Sequence, residues 1–88
     1  MPITIVLVED NRVFREGLAE GLMATGLFNV LYKAQNGSIF LEWLKNTAKQ
    51  PQVVVMDIDM PILDGLATVR VAKDLVPSTE FIMLTVFD

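Results

Sequence analysis

Two short apolar runs, each stopped by acid, constrain this chain more than any other feature. ITIVLV at residues 3–8 runs into Glu9 and Asp10, and VVVM at residues 53–56 runs into Asp57. Both are rich in β-branched residues, and a single Thr interrupts the first. A strand with one wet face shows apolar and polar residues in turn. An unbroken apolar strand of this length belongs in the middle of a parallel sheet, buried on both faces. Such a sheet needs cover on each face and a crossover, usually a helix, between successive strands.

The residues between the runs supply those helices. Asp10 or Asn11 can cap the first, in which Phe14, Leu18 and Leu22 recur every fourth residue. Val13, Gly17 and Gly21 form a smaller neighbouring stripe that would allow close approach to a sheet, and Gly26 stands where a helix C-cap belongs. Phe28, Val30, Tyr32 and Ala34 alternate with Asn29, Leu31, Lys33 and Gln35, the pattern of a half-exposed edge strand. Asn36-Gly37-Ser38 caps a second helix with Phe40, Leu44 and Ala48 on one face, and Pro51 blocks its continuation. Asp64 can cap a third helix carrying Leu66, Val69, Ala72 and Leu75, which Pro77 and Ser78 end. Glu80 to Thr85 reads as a fourth strand. The order β-α-β-α-β-α-β has no repeat or linker in it, so residues 1–88 are expected to form one α/β unit around a parallel sheet.

Composition narrows the chemistry. Seven basic residues against eleven acidic ones give a net charge of −4, which argues against an electrostatic grip on nucleic acid by these residues. The absence of Cys and His removes disulfides, thiolate and imidazole catalysis, and zinc sites of the usual ligand types. No apolar run approaches the roughly 18–20 residues of a membrane span. The start MPITIVLVED lacks the basic stretch and small-residue cleavage site of a signal peptide. A cytoplasmic protein without membrane contact is the expectation.

In open parallel α/β sheets, ligands bind beyond the carboxyl ends of the strands, near the point where strand order reverses. Glu9 and Asp10 lie at the carboxyl end of the first strand, Asp57 at that of the third, and Thr85 at that of the fourth. If the first and third strands are neighbours, three carboxylates converge on one rim. Like charges that close raise each other's pKa or demand a cation. With oxygen ligands alone, Mg²⁺ matches best, because it takes a few carboxylates and keeps several waters. A carboxylate beside Mg²⁺ can attack a phosphoryl group and become an aspartyl phosphate. A hydroxyl such as that of Thr85 can donate a hydrogen bond to a phosphoryl oxygen. Each residue alone has a plainer reading. Glu9 and Asp10 suit a solvated strand end and a helix cap, Asp57 a strand terminator, and Asp64 an N-cap. Asp59 would act through its backbone, and Trp43 would pack against its surroundings. The set at matching strand ends is what carries the chemistry.

Taken together, VLVEDN, VVVMDIDMPILDG and FIMLT resemble the receiver domain of two-component response regulators, along the whole chain. The resemblance implies a flavodoxin-like doubly wound sheet with strands ordered 2-1-3-4-5. It implies that Asp57 is the phosphoacceptor, taking its phosphoryl group from a phosphohistidine of a sensor histidine kinase. Mg²⁺ would be bound by Asp10, Asp57 and the backbone carbonyl of Asp59, with Glu9 acting through water. Thr85 matches the switch hydroxyl, and Pro61 and Gly65 match the loop after the phosphoacceptor. FREGL (Phe14 to Leu18) and LTVFD (Leu84 to Asp88) are most similar to NarL/FixJ-type regulators. That likeness implies control of transcription through a helix-turn-helix output domain, so DNA would be met only outside these residues. The family also has a fourth helix, a fifth strand ending in an essential Lys, and a fifth helix. The 88 residues stop before them, so the sheet is expected to be incomplete. Glu80–Thr85 would then be an edge with one charge and no Pro, apolar side chains from Ile3–Val8 and Val53–Met56 would face water, and self-association through that edge and the uncovered sheet face is expected.

Two other functions stand beside this one. DID after an apolar strand also resembles the nucleophile motif of haloacid-dehalogenase-like phosphohydrolases, with FIMLT as their second motif. Sustained turnover of a phosphate ester with Mg²⁺ would mark that enzyme. A non-phosphorylated interaction module would keep the fold and use it for binding alone.

Overall fold

The computed structural model describes residues 2–60 and 63–84. Seven elements alternate: β1 (Ile3–Val8), α1 (Arg12–Ala24), β2 (Phe28–Ala34), α2 (Gly37–Asn46), β3 (Val53–Asp57), α3 (Gly65–Leu75) and β4 (Glu80–Leu84). The four strands form one sheet in the order β2-β1-β3-β4, and every pairing is parallel. The two strands built on the apolar runs are the central pair, and the alternating one lies at an edge, as their compositions require. The pairing of β1 with β2 shifts register between Ile5 and Val6, so that Leu31 is passed over.

Side chains of β1 divide between two cores, as a period of two dictates. Val6 and Val8 point to one face, where they meet Val54, Met56, Phe40, Leu41 and Leu44, with Ala72 and Val76 from the α3 side. Ile5 and Leu7 point to the other and meet Ala19 of α1, with Leu18, Leu22, Val53 and Val55 packed around them. Thus α2 and α3 cover one face and α1 the other. Tyr32 of β2 stacks on Trp43 of α2, with ring centroids 5.0 Å apart and planes 6° from parallel.

Each helix starts where a short polar side chain can take an orphan backbone N–H. Asn11 accepts from Phe14 N at 3.0 Å, Asn36 from Ile39 N at 2.8 Å, and Asp64 from Ala67 N at 2.8 Å. Gly26 closes α1 with φ of +74°, its N–H on the carbonyl of Met23. No described helix is long and apolar enough to cross a membrane.

The structure corrects several faces. In α1 the small stripe does not meet the sheet: Val13 is 84% exposed, and Gly17 and Gly21 face open space. Ala19 makes the close approach instead. In α2 the buried face is Phe40, Leu41 and Leu44, because the helix ends at Asn46 and Ala48 lies exposed beyond it. In α3 Leu66 and Leu75 are exposed, while Gly65, Thr68 and Ala72 are buried. The inner face of α3 is set by Gly65, which lies against the Asp57 backbone, and positions three and seven residues on must follow it inward. Thr68 tolerates burial because its hydroxyl is bonded to the Asp64 carbonyl at 2.8 Å. Exposure on the α1 face also falls differently from expectation. Ile5 and Leu7 are sealed by α1, and it is Ile82 of β4 that is bare, with Val53 and Val55 partly so.

Candidate functional site

The point where strand order reverses lies between the carboxyl ends of β1 and β3, which run side by side through Val8 and Met56. Glu9 continues from β1, its N–H donating to the Ala34 carbonyl at 3.0 Å, which extends the pairing with β2 by one step. That step draws its side chain inward, leaving Glu9 only 4% exposed. Asp57 is the last residue of β3 and is 5% exposed. Asp10, exposed, sits just before the Asn11 cap. Carboxylate oxygens of Glu9, Asp10 and Asp57 lie within 4.8 Å of one another.

This is an electrostatically strained arrangement. Burial pushes the Glu9 carboxyl up to about 8, and proximity to the Asp57 carboxylate, then to Asp10, adds to the effect. Glu9 Oε2 is buried without a hydrogen-bond partner among the described residues. Two carboxylates can bond each other only if one keeps a proton; as anions both are acceptors and neither satisfies the other. Asp57 fares better, since its Oδ1 accepts the N–H of Asp59 at 3.1 Å. A buried, partnerless oxygen facing two other carboxylates is the donor set that a hard divalent cation fits.

The structure therefore brings together Glu9, Asp10 and Asp57, and places the Asp59 backbone against Asp57 with the Asp59 side chain exposed. Asp64 is a helix cap, as read from the sequence, and Trp43 packs on Tyr32. Thr85 and Pro61 lie outside the described residues. Gly65 has a definite part: a Cβ there would collide with the Asp57 carbonyl oxygen, and its N–H donates to the Ile58 carbonyl at 3.1 Å. Arg15 escaped the sequence reading. Its Nη1 donates to the Glu9 carbonyl at 2.7 Å, clamping α1 to the acidic turn. The available signal was its place four residues after the cap Asn11, on the helix face that looks back toward the end of β1.

Sequence comparison decides the family: the response regulator receiver domain model matches residues 5–88. The chain belongs to that family. It is the receiver domain of a two-component response regulator, and the haloacid-dehalogenase reading falls away. Among relatives, the transcriptional regulatory protein LnrK of Bacillus subtilis is 34% identical over 85 residues, covering 97% of this chain and 38% of that protein. A protein-glutamate methylesterase/protein-glutamine glutaminase of Photobacterium profundum is 33% identical over 78 residues, 89% of this chain and 19% of its own length. The chain thus spans about two fifths or less of these relatives. Among solved structures, the signal receiver domain of NarL from Mycobacterium tuberculosis superposes with a TM-score of 0.85 at 29% identity, covering 99% of this chain and 68% of that one. The order β2-β1-β3-β4 is the order expected for the first four strands of a receiver.

Proposed function

We propose that this receiver domain accepts a phosphoryl group on Asp57 from a phosphohistidine of a sensor histidine kinase, in the cytoplasm, with Mg²⁺ as cofactor. In this reading residues 1–88 supply the acidic pair and the phosphoacceptor, and act as a phosphorylated signal carrier and not as an enzyme. The supporting observation is the convergence of three carboxylates on the rim, with Glu9 buried and one of its oxygens partnerless.

Asp10, Asp57 and the backbone carbonyl of Asp59 would hold Mg²⁺ directly, with Glu9 acting through a bound water. When bound, the ion supplies positive charge against the carboxylates and the transferring phosphoryl oxygens. Asp57 Oδ1 is held by the Asp59 N–H, which leaves the other oxygen as nucleophile. That oxygen forms the new O–P bond, the P–N bond of the phosphohistidine breaks, and the departing imidazole keeps the electron pair and takes up a proton. Thr85 would donate its hydroxyl to a phosphoryl oxygen of the product.

Output would be transcriptional, through a DNA-binding domain beyond these residues, a reading supported by the likeness to LnrK. The bare Ile82, on the α1 face of β4, supports self-association of the 88-residue chain through that face. Incubation with a small-molecule phosphodonor and Mg²⁺ tests the central claim. An acid-stable, hydroxylamine-labile label that disappears in Asp57→Asn is expected. A label that persists in that variant and maps to Ser or Thr would overturn it.

A further inference from the structure

Helices α2 and α3 both begin on the rim that carries the carboxylates, and they begin in contact. Gly37, the first residue of α2, is buried, and a Cβ on it would collide with Thr68 Oγ1 and come within 3.0 Å of the Leu63 carbonyl oxygen. Gly26, not Gly37, is the positive-φ glycine among the described residues. The missing side chain at 37 therefore serves contact and not backbone freedom. Thr68 is wholly buried, its N–H and hydroxyl both on the Asp64 carbonyl at 3.0 and 2.8 Å. The next residue, Gly65, leaves no room for a methyl group against the Asp57 carbonyl.

The other direction is equally direct. Asn36 caps α2 and lies two residues after Ala34, whose carbonyl accepts the Glu9 N–H. Glu9 and Asp57 are thus joined by two routes. One is the β1–β3 pairing. The other runs from Glu9 through Ala34, Gly37, Thr68 and Gly65 to Asp57, and each of its non-covalent links is a hydrogen bond or a contact that one methyl group would block.

We propose that Gly37 and Thr68, where α2 and α3 meet, are positioning residues that fix the Asp57 carboxylate relative to Glu9. The inference rests on the reading of Glu9, Asp10 and Asp57 as a Mg²⁺ site. A divalent site tolerates displacements of about half an ångström in its ligands, and the packing of α2 against α3 controls one of them from behind.

The test is titration calorimetry with Mg²⁺, alongside circular dichroism to fix the folded fraction, on Gly37→Ala, Thr68→Ala, Thr68→Val and the Gly37→Ala/Thr68→Ala pair. Ala is the better helix former, so any loss in Gly37→Ala comes from contact. Gly37→Ala is expected to weaken Mg²⁺ binding by the folded protein about tenfold, the scale of residues that orient metal ligands. The double variant removes Thr68 Oγ1 but keeps the Leu63 carbonyl and the Cβ at position 68 in place, so it should recover part of the affinity lost in Gly37→Ala, a rescue that a merely structural role would not produce in a binding constant. Should Gly37→Ala not fold, Thr68→Val decides the matter, because it keeps the shape and deletes the bond to Asp64; severalfold weaker binding supports the proposal. Unchanged affinity in a folded Gly37→Ala or in Thr68→Val, or a double variant no better than Gly37→Ala, overturns it. Absence of Asp57-dependent Mg²⁺ binding in the unmodified chain would overturn both this proposal and the site reading on which it rests.

Discussion

The two ends of the sheet are built to opposite rules. At the amino end, polar groups close on one another. Thr4 N donates to Gln52 Oε1 and Gln52 N to Thr4 Oγ1, each at 2.9 Å, Glu80 N donates to the Gln52 carbonyl at 3.0 Å, and buried Thr79 Oγ1 donates to the Pro51 carbonyl at 2.6 Å. At the carboxyl end, three carboxylates crowd together and Glu9 Oε2 has no partner among the described residues. One end contributes stability and the other holds strain that only a bound cation or proton relieves. The contrast teaches that the crowded carboxylates are a local deficit, offset by tight hydrogen bonding one strand-length away.

The contrast can be broken outright at Asp57. Asp57→Asn should remove the hydroxylamine-labile label entirely and weaken Mg²⁺ binding by about tenfold or more, while the metal-free protein melts at a higher temperature because one like charge has gone. Phosphorylation assays, calorimetry and thermal melts on one preparation check all three, and a lower melting temperature would contradict the strain argument.

The next effect is one of pH. The Glu9 carboxyl rises from its ordinary 4.5 to about 8 on folding. Between those values the folded state keeps a proton that the unfolded chain has lost, so the contribution of Glu9 to stability is fully present below about 4.5 and declines as pH rises toward 8. Urea titrations should show stability falling with rising pH across that window for the metal-free protein. Glu9→Gln should flatten the profile, and saturating Mg²⁺ should offset the loss.

At the satisfied end, Thr79→Val should cost about 1–2 kcal/mol by leaving the Pro51 carbonyl without its donor, yet leave Mg²⁺ affinity unchanged. A change in both would mean that the two ends are coupled. The smallest effect concerns the edge. Ile82→Lys places charge on the bare patch of β4, and light scattering at several concentrations should show apparent mass shifting severalfold in concentration toward monomer. A wild-type chain that is already a sharp, concentration-independent monomer would remove the basis for that expectation.

How much of this was legible beforehand depended on whether one residue or a pair carried the information. Ile3–Val8 and Val53–Met56 announced central strands because burial on both faces erases alternation, and Asp57 and the Glu9–Asp10 pair followed from where those strands end. The inner faces of the helices were less legible. Gly17 and Gly21 looked suited to close approach, but Ala19 does that work, and nothing in the sequence ranks three small residues on one helix. Thr68 was passed over because polarity suggests exposure until its bond to Asp64 is seen. The burial of Glu9 depends on a step of pairing with Ala34, and the clamp from Arg15 on the turn geometry. Both are relations between distant or oppositely placed atoms that no single-residue property encodes.

The stack of Tyr32 on Trp43 supplies an optical handle, because the chain has one Trp and one Tyr. Their emission and energy transfer report whether α2 is seated on the outer strand of the sheet. The α1 side carries no comparable chromophore, so the two layers can be watched separately: fluorescence follows the layer of α2 and α3, and far-ultraviolet dichroism follows all three helices. If the two signals fall together on denaturation, the layers melt as one; if dichroism falls first, α1 detaches while the Trp43 layer still holds.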